Sequence, residues 1–240
     1  MILYVTFAQT DERANWAATY ARHAERFEAA SAGQRCLILP YDMADASLIA
    51  RLQPTAVILS GFARSFEDYR VEDLMPIANW TRDNADIPTL AICGSHQLIG
   101  MIFNGEVDGA HALADRPMRP RRPGEPITNP DYHPDYFMER GFYELTIVED
   151  DPLFAHCGQP PVMLESHYCE IKRLPEGFRL LASTPECRIQ AMRHGRLPLV
   201  GVQFHPEDYT DRFPDGRYLL EAFLRCTNAQ PAPSIATGAF

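Results

Sequence analysis

Lysine is nearly missing from this chain. Lys172 is the only one, and the rest of its 22 basic residues are arginines. Set against 32 acidic residues, this leaves a net charge of −10, which argues against a general nucleic-acid binder, since that class carries a basic field. Long apolar runs are also missing: stretches such as Ala56 to Leu59 are soon broken, whereas a spanning helix needs about 20 apolar residues. The opening MILYVTFAQTDE has no basic region ahead of its apolar stretch, so no export signal is expected. None of the six cysteines (Cys36, Cys93, Cys157, Cys169, Cys187, Cys226) forms a CxxC pair, and no Cys/His cluster has zinc-ligand spacing. Reduced thiols and a cytoplasmic location are therefore expected. There is no GxGxxG and no GxxxxGK[ST], so no dinucleotide or phosphate-loop site is implied. We expect no metal and no cofactor, and we find no internal repeat.

What is present is an ordinary globular balance: 240 residues, 46% hydrophobic and 22% charged. Such a chain buries a core without staples. The first half reads as alternating strands and helices. Strands are expected at Ile2–Phe7, Cys36–Leu39, Ala56–Leu59 (stopped by Ser60-Gly61) and Pro88–Ile92. Helices are expected at about Glu12–Ala30, with Trp16, Tyr20, His23 and Phe27 at helical spacing, at Val71–Asn84 and at Gln97–Phe103. This alternation implies an α/β fold: a mostly parallel central sheet with helices on both faces. From Ala114 to Asp135 the chain is rich in proline, with Arg116, Arg119, Arg121 and Arg122 close together, and we take about 114–137 as an irregular insertion. A smaller β-rich part follows, with short segments at Phe142–Val148, Val162–Glu165, Phe178–Ser183, Arg188–Met192 and Leu199–Phe204. Asp215-Gly216 reads as a turn and Tyr218–Cys226 as a closing helix. We expect one unit over residues 1–227 and a loosely held tail over 228–240.

Two segments carry chemistry. In Leu90-Ala91-Ile92-Cys93-Gly94-Ser95-His96-Gln97 a strand runs into a helix with a nucleophile-type residue at the bend. Ala91, Gly94 and Ser95 are small, as a sharp strand-to-helix elbow demands. Such an elbow lifts the Cys93 sulfur to the sheet edge at a helix N-terminus, where the dipole favours thiolate, and aims the Gly94 N–H at a developing oxyanion. A buried structural cysteine is the plain alternative. In Gly201-Val202-Gln203-Phe204-His205-Pro206-Glu207, an apolar strand ends in His-Pro-Glu. With the chain extended at Pro206, His205 and Glu207 meet side by side, and the carboxylate orients the imidazole. A surface His-x-Glu is the plain alternative there.

Together these segments resemble the class I, triad-type glutamine amidotransferase family. That family carries G-x-C-x-G-H-Q at its nucleophile and G-V-Q-F-H-P-E at its catalytic histidine. The second motif is matched at every position from Gly201 to Glu207, and the first at Cys93, His96 and Gln97. Ile58-Leu59-Ser60-Gly61 resembles the family's I-L-S-G-G-P loop. Ser166-His167 with Leu174-Pro175-Glu176-Gly177-Phe178 resembles the S-H-G-D…L-P-x-G-F stretch of guanylate-synthesising members. The resemblance implies a flavodoxin-like fold and hydrolysis of the γ-amide of L-glutamine to glutamate and ammonia. It assigns Cys93 as nucleophile, His205 as general acid/base and Glu207 as its orienting group, with a γ-glutamyl thioester as intermediate. By the same resemblance Gly61, Phe62 and Gly94 hold the oxyanion, and Gln97, Ser166 and His167 contact the substrate. A separate ammonia-accepting synthase subunit is implied as partner, with no nucleic acid and no membrane.

The chain departs from the family at several positions. Ala91 and Ser95 stand where the family has glycine around its nucleophile. Gly61-Phe62-Ala63-Arg64 replaces Gly-Gly-Pro, and Tyr168-Cys169 replaces Gly-Asp after Ser-His. Phe62 adopts positive φ less cheaply than glycine, and its ring is expected to narrow the pocket. The changed loop and the insertion favour an alternative, a stand-alone γ-glutamyl hydrolase acting on a peptide or amine conjugate. A catalytically silent regulatory subunit is a third reading; it predicts a damaged triad, and the triad residues are present. The insertion arginines read as a solvated loop that offsets the acidic surface, or as a dock for an acidic partner. Cys169 reads as packing, His111, His133 and His194 as surface or packing residues, and Trp16 and Trp80 as core.

Overall fold

The first strand sets the pattern of the sheet. In β1 (Ile2–Phe7) all six residues are buried, as in a central strand covered on both faces. The computed structural model describes residues 1–107 and 113–228. His111 and the tail from 229 lie outside the described residues, as does the side chain of Cys226. The chain runs β1, α1 (Arg13–Ala30), β2 (Cys36–Pro40), α2 (Ala46–Leu52), β3 (Ala56–Phe62), α3 (Val71–Asp83), β4 (Thr89–Ile92) and α4 (Gly94–Phe103). It continues with β5 (Glu139–Glu144), β6 (Thr146–Ile147), β7 (Val162–His167), β8 (Phe178–Ser183), β9 (Ala191–His194), β10 (Leu199–Val202) and α5 (Asp215–Asn228). Eight strands form the main sheet in the order β2-β1-β3-β4-β10-β9-β8-β6, and β5 and β7 pair separately. The pairs from β2 through to β10 are parallel; those from β10 to β6 are antiparallel.

Strand alternation sorts the apolar residues between two cores. Leu3, Val5, Val57 and Leu59 pack with α2, α3 and α4 on one face. Ile2, Tyr4, Ala56, Ile58, Leu90 and Ile92 pack with α1 and α5 on the other. Helices therefore cover both faces of a mostly parallel sheet. Among the described residues no helix is long and apolar enough to cross a membrane. Trp80 is buried as expected, but Trp16 is 37% exposed: it stacks on Tyr20 at the rim of α1 and does not enter the core.

The structure corrects several boundaries. β3 does not stop at Ser60-Gly61 but runs to Phe62, because Phe7 re-pairs with Phe62 across a register shift. Phe142–Val148 splits into β5 and β6, which belong to different sheets. The segment expected at Arg188–Met192 is a strand over Ala191–His194, and the Ile189 carbonyl ahead of it accepts from the His96 ring. α2 was not anticipated, although Asp45 caps it by accepting from the Leu48 N–H at 2.7 Å, a readable local signal. Asp215-Gly216 is the first turn of α5, and the Asp215 carboxylate accepts from the backbone N–H groups of Gly158 and Val162.

The proline-rich insertion is irregular and held inward. Met118 N–H donates to the Tyr168 carbonyl, and Glu170 N–H to the Arg116 carbonyl. The Arg119 guanidinium lies between Glu125 and Glu186, over the ring of Phe137. Arg121 donates to the carbonyls of Pro134 and Glu125, and Arg116 pairs with Glu106. These arginines clasp the loop to its own body.

Candidate functional site

Three strand ends meet at Cys93. The residue follows β4 directly, and its N–H donates to the Val202 carbonyl of β10 at 2.8 Å. Its backbone has φ 52° and ψ −109°, a conformation that a side-chain-bearing residue holds only when its surroundings impose it. Those surroundings are visible. The Ser95 hydroxyl donates to the Ser60 carbonyl, tying the first turn of α4 to the end of β3. A Cβ on Gly94 would lie 2.7 Å from the Cβ of Phe62 and 2.8 Å from its nitrogen, so only glycine lets the two segments close. The end of β3 is thereby pressed against the elbow, with the backbone nitrogens of Phe62 and Gly94 on adjacent segments.

His205 enters from β10. Its N–H donates to the Leu164 carbonyl at 2.8 Å, and its Nδ1–H to Glu207 Oε1 at 2.9 Å. The extended His-Pro-Glu stretch expected from sequence is instead one turn of 3-10 helix over Pro206–Asp208, since proline's fixed φ suits the first position of a helical turn. The turn still brings carboxylate and imidazole together. Burial of the ring disfavours the cation, but the charges of Glu207 and of the Cys93 sulfur outweigh it and raise the His205 pKa well above the ordinary imidazole range. Gly61 completes the cluster: a Cβ there would contact His205 Cε1 at 3.2 Å and Cys93 Cβ at 3.4 Å. The structure thus brings Cys93, His205, Glu207, Gly61, Phe62 and Gly94 into one place.

Phe62 is not among the residues of positive φ, so the expected backbone penalty does not arise. Its ring is held in an aromatic cluster, stacked on Phe7 at 4.4 Å and against Phe66 and Tyr69 at 4.7 and 4.8 Å. A cavity of about 220 Å³ opens beside His205 and Glu207, walled by Trp16, Tyr20, Phe62 and Ser166.

Alternation along β7 separates two expected substrate contacts. Ser166 and Leu164 face this cavity, while His167 turns away and is 2% exposed. His167 Nδ1 donates to the Cys169 carbonyl and Nε2 to Glu139, both at 2.9 Å. Gln97 is also buried; its Nε2 donates to the Cys169 carbonyl at 2.9 Å and to Gln203 Oε1 at 3.1 Å. His96 points to the Ile189 carbonyl, and burial pushes its pKa down to about 3, so it is neutral. Cys169 is buried, as expected of a packing residue.

Other site residues had no separate sequence signal. Gln203 Nε2 donates to Cys93 Sγ at 3.7 Å. On α1, His23 receives the Tyr4 hydroxyl at Nδ1 and donates from Nε2 to Asp208 at 3.2 Å, while Arg26 donates to the Glu207 carbonyl. These contacts brace the turn carrying Glu207 and join residues up to 185 positions apart, beyond any local pattern. Among the described residues, two sets of side chains have atoms suited to metal ligation within 4.8 Å of one another: Glu139, His167 and Cys187, and His23, Glu207 and Asp208. In the first, Glu139 is already hydrogen-bonded by His167, Thr184 and Gln190.

Known proteins resemble this chain in sequence and in fold. The glutamine-hydrolysing GMP synthase subunit of Archaeoglobus fulgidus is 37% identical over 130 residues, 53% of this chain and 56% of that protein. Its counterpart in Pyrococcus abyssi is 31% identical over 159 residues, 66% of this chain and 69% of that protein. The chain thus spans between about half and two thirds of the length of these curated relatives. The glutaminase domain of Trypanosoma brucei CTPS, solved with bound acivicin, superposes with a TM-score of 0.66 at 18% identity, covering 94% of each chain, and shares the fold. The glutamine amidotransferase class-I family model matches residues 23–225, and this chain belongs to that family.

Proposed function

We propose that residues 1–227 form one unit that hydrolyses the γ-amide of L-glutamine to glutamate and ammonia. The observation that carries this is the strained Cys93 elbow facing the His205–Glu207 pair. Cys93, as a thiolate whose proton rests on His205, attacks the γ-carbonyl carbon through Sγ. The tetrahedral oxyanion is held by the backbone N–H groups of Gly94 and Phe62. It collapses with C–N cleavage; His205 returns the proton to the leaving nitrogen, and ammonia departs. Water, deprotonated by His205, then attacks the γ-glutamyl thioester and releases glutamate and the cysteine. Glu207 orients His205 and favours its cation. Ser166, which faces the cavity, contacts the amino-acid end of the substrate. The relatives are glutamine-hydrolysing subunits of GMP synthase, which supports an ammonia acceptor on a separate synthase subunit. The free thiols of Cys36, Cys93, Cys157, Cys169 and Cys187 fit a reducing, cytoplasmic setting.

The test is intact mass after exposure to a glutamine analogue with an electrophile at the γ-carbon. One adduct that maps to Cys93, vanishes in Cys93→Ala and is blocked by free glutamine is the expected result. No adduct, with Cys93 still open to a general thiol reagent, overturns glutamine as the substrate. The aromatic wall of Trp16 and Tyr20 beside His205 favours a second reading, hydrolysis of a γ-glutamyl amine or peptide conjugate. A panel of γ-glutamyl amides separates the two by which substrate is cleaved faster.

A further inference from the structure

We infer that Gln203 is a catalytic residue whose side-chain N–H stabilises the Cys93 thiolate, its orientation dictated by Gln97 and the Cys169 carbonyl; the inference rests on Cys93 being the nucleophile. An amide side chain has two ends of nearly equal shape, and which end meets the sulfur decides the effect. Here the polarity is fixed from outside. A backbone carbonyl can only accept, so the group that Gln97 turns to Cys169 O, at 2.9 Å, is its NH₂. The second hydrogen of the same NH₂ points to Gln203 at 3.1 Å, so it meets the carbonyl Oε1. That leaves Gln203 Nε2 toward Cys93 Sγ at 3.7 Å. The relay therefore always presents a donor to the sulfur. A neutral thiol gains little from it; a thiolate accepts a charge-assisted bond.

Gln203 is fully buried and Gln97 and Cys169 are 5% and 4% exposed, so water does not compete for these groups. Gln203 is also held through its backbone, its N–H donating to the Gln190 carbonyl at 2.8 Å. The anchor at Cys169 is fixed by the insertion, through the Met118–Tyr168 and Arg116–Glu170 backbone bonds on either side of the Pro117–Cys169 bridge. Around the sulfur, the titratable groups are His205, with Glu207 behind it, from the exit of β10, and the Cys169 thiol from the segment after β7. The end of β3 offers Gly61, and the first turn of α4 offers backbone N–H groups. Gln203 thus gives the thiolate a partner that does not titrate.

The experiment follows alkylation of Cys93 by iodoacetamide across pH 5 to 9 on the full chain, read by peptide mass so that the other cysteines do not contribute. Gln203→Met keeps the volume and removes the donor; it is expected to slow alkylation about tenfold at pH values below the midpoint. Gln203→Glu, which turns a carboxylate oxygen to the sulfur, is expected to slow it further. Gln97→Met frees Gln203 to rotate and is expected to shift the profile in the same direction by less. An unchanged pH midpoint in folded Gln203→Met overturns the inference. If that variant does not fold, an unchanged midpoint in Gln97→Met overturns it instead. No glutamine enters the measurement, so a shifted midpoint in a chain that fails to hydrolyse glutamine keeps the relay and removes only the proposed substrate.

Discussion

Gly216, in the first turn of α5, abuts the carbonyl of Pro206: a Cβ placed on Gly216 would lie 2.3 Å from that oxygen. The closing helix therefore buttresses the turn that carries Glu207. Gly216→Ala forces the helix and the turn apart. We expect a loss of about 1–3 kcal/mol in stability and, in the protein that remains folded, a fall in glutamine hydrolysis. Denaturant unfolding and kcat on the same preparation check this.

His205→Asn removes the proton carrier. Acylation by the γ-electrophilic analogue is expected to fall by about 10²–10⁴-fold. Glu207→Gln keeps the proton carrier and loses only orientation and charge, so its loss is expected to be the smaller. Single-turnover rates on both variants decide, and equal complete loss would mean that Glu207 does more than orient.

The raised His205 pKa has a pH consequence. A raised folded-state value means that the cation's contribution is whole at low pH and is lost as pH rises through that value. The imidazolium, and acid delivery to the leaving nitrogen with it, is expected to persist above the ordinary imidazole range and to fail only at higher pH. The high-pH limb of kcat/KM checks it, and a limb at the ordinary imidazole range would contradict it.

His167 offers the same sign at a second place. Burial disfavours its cation, but Glu139 and Glu165 outweigh burial and hold it up to about 10. Its contribution to stability is expected to be whole below the ordinary imidazole range and to be lost as pH rises toward about 10. Ring resonances followed by NMR, beside thermal melting over the same pH series, test it. A ring that deprotonates at the ordinary imidazole value would contradict it.

Arg119 clasps Glu125 and Glu186 at once. Arg119→Ala is expected to raise the rate of limited proteolysis within 114–137 several-fold, with little change in melting temperature, because the clasp orders a loop that opens locally and not the core. Arg119→Lys is expected to restore little of the protection, since an ammonium cannot make the paired contacts of a guanidinium.

Much of the site was legible from residues alone, because its parts are local. The small residues around Cys93 allow a bend that larger ones would block, and contacts from the end of β3 then hold Cys93 in it. Near-continuous apolar runs such as Ile2–Phe7 and Ala56–Leu59 record strands covered on both sides, and so record helices on both faces of a sheet. His205 and Glu207 meet because they are two residues apart, even though the turn between them is not the extended one that spacing suggested.

The tertiary structure alone decided what depends on contacts across the sheet. Period-two alternation puts Ser166 and His167 on opposite sides of β7, but only packing decides which side holds the cavity, and it is Ser166's. Trp16 has helical spacing suited to a core position, yet α1 lies so that it sits at the rim. Gln203, read only as part of a motif, reaches Cys93 across 110 residues and Gln97 across 106. Periodicity reports which face of an element is apolar; it holds no record of which distant polar group a buried amide meets. That choice is made when the sheet closes and each buried donor has to find an acceptor.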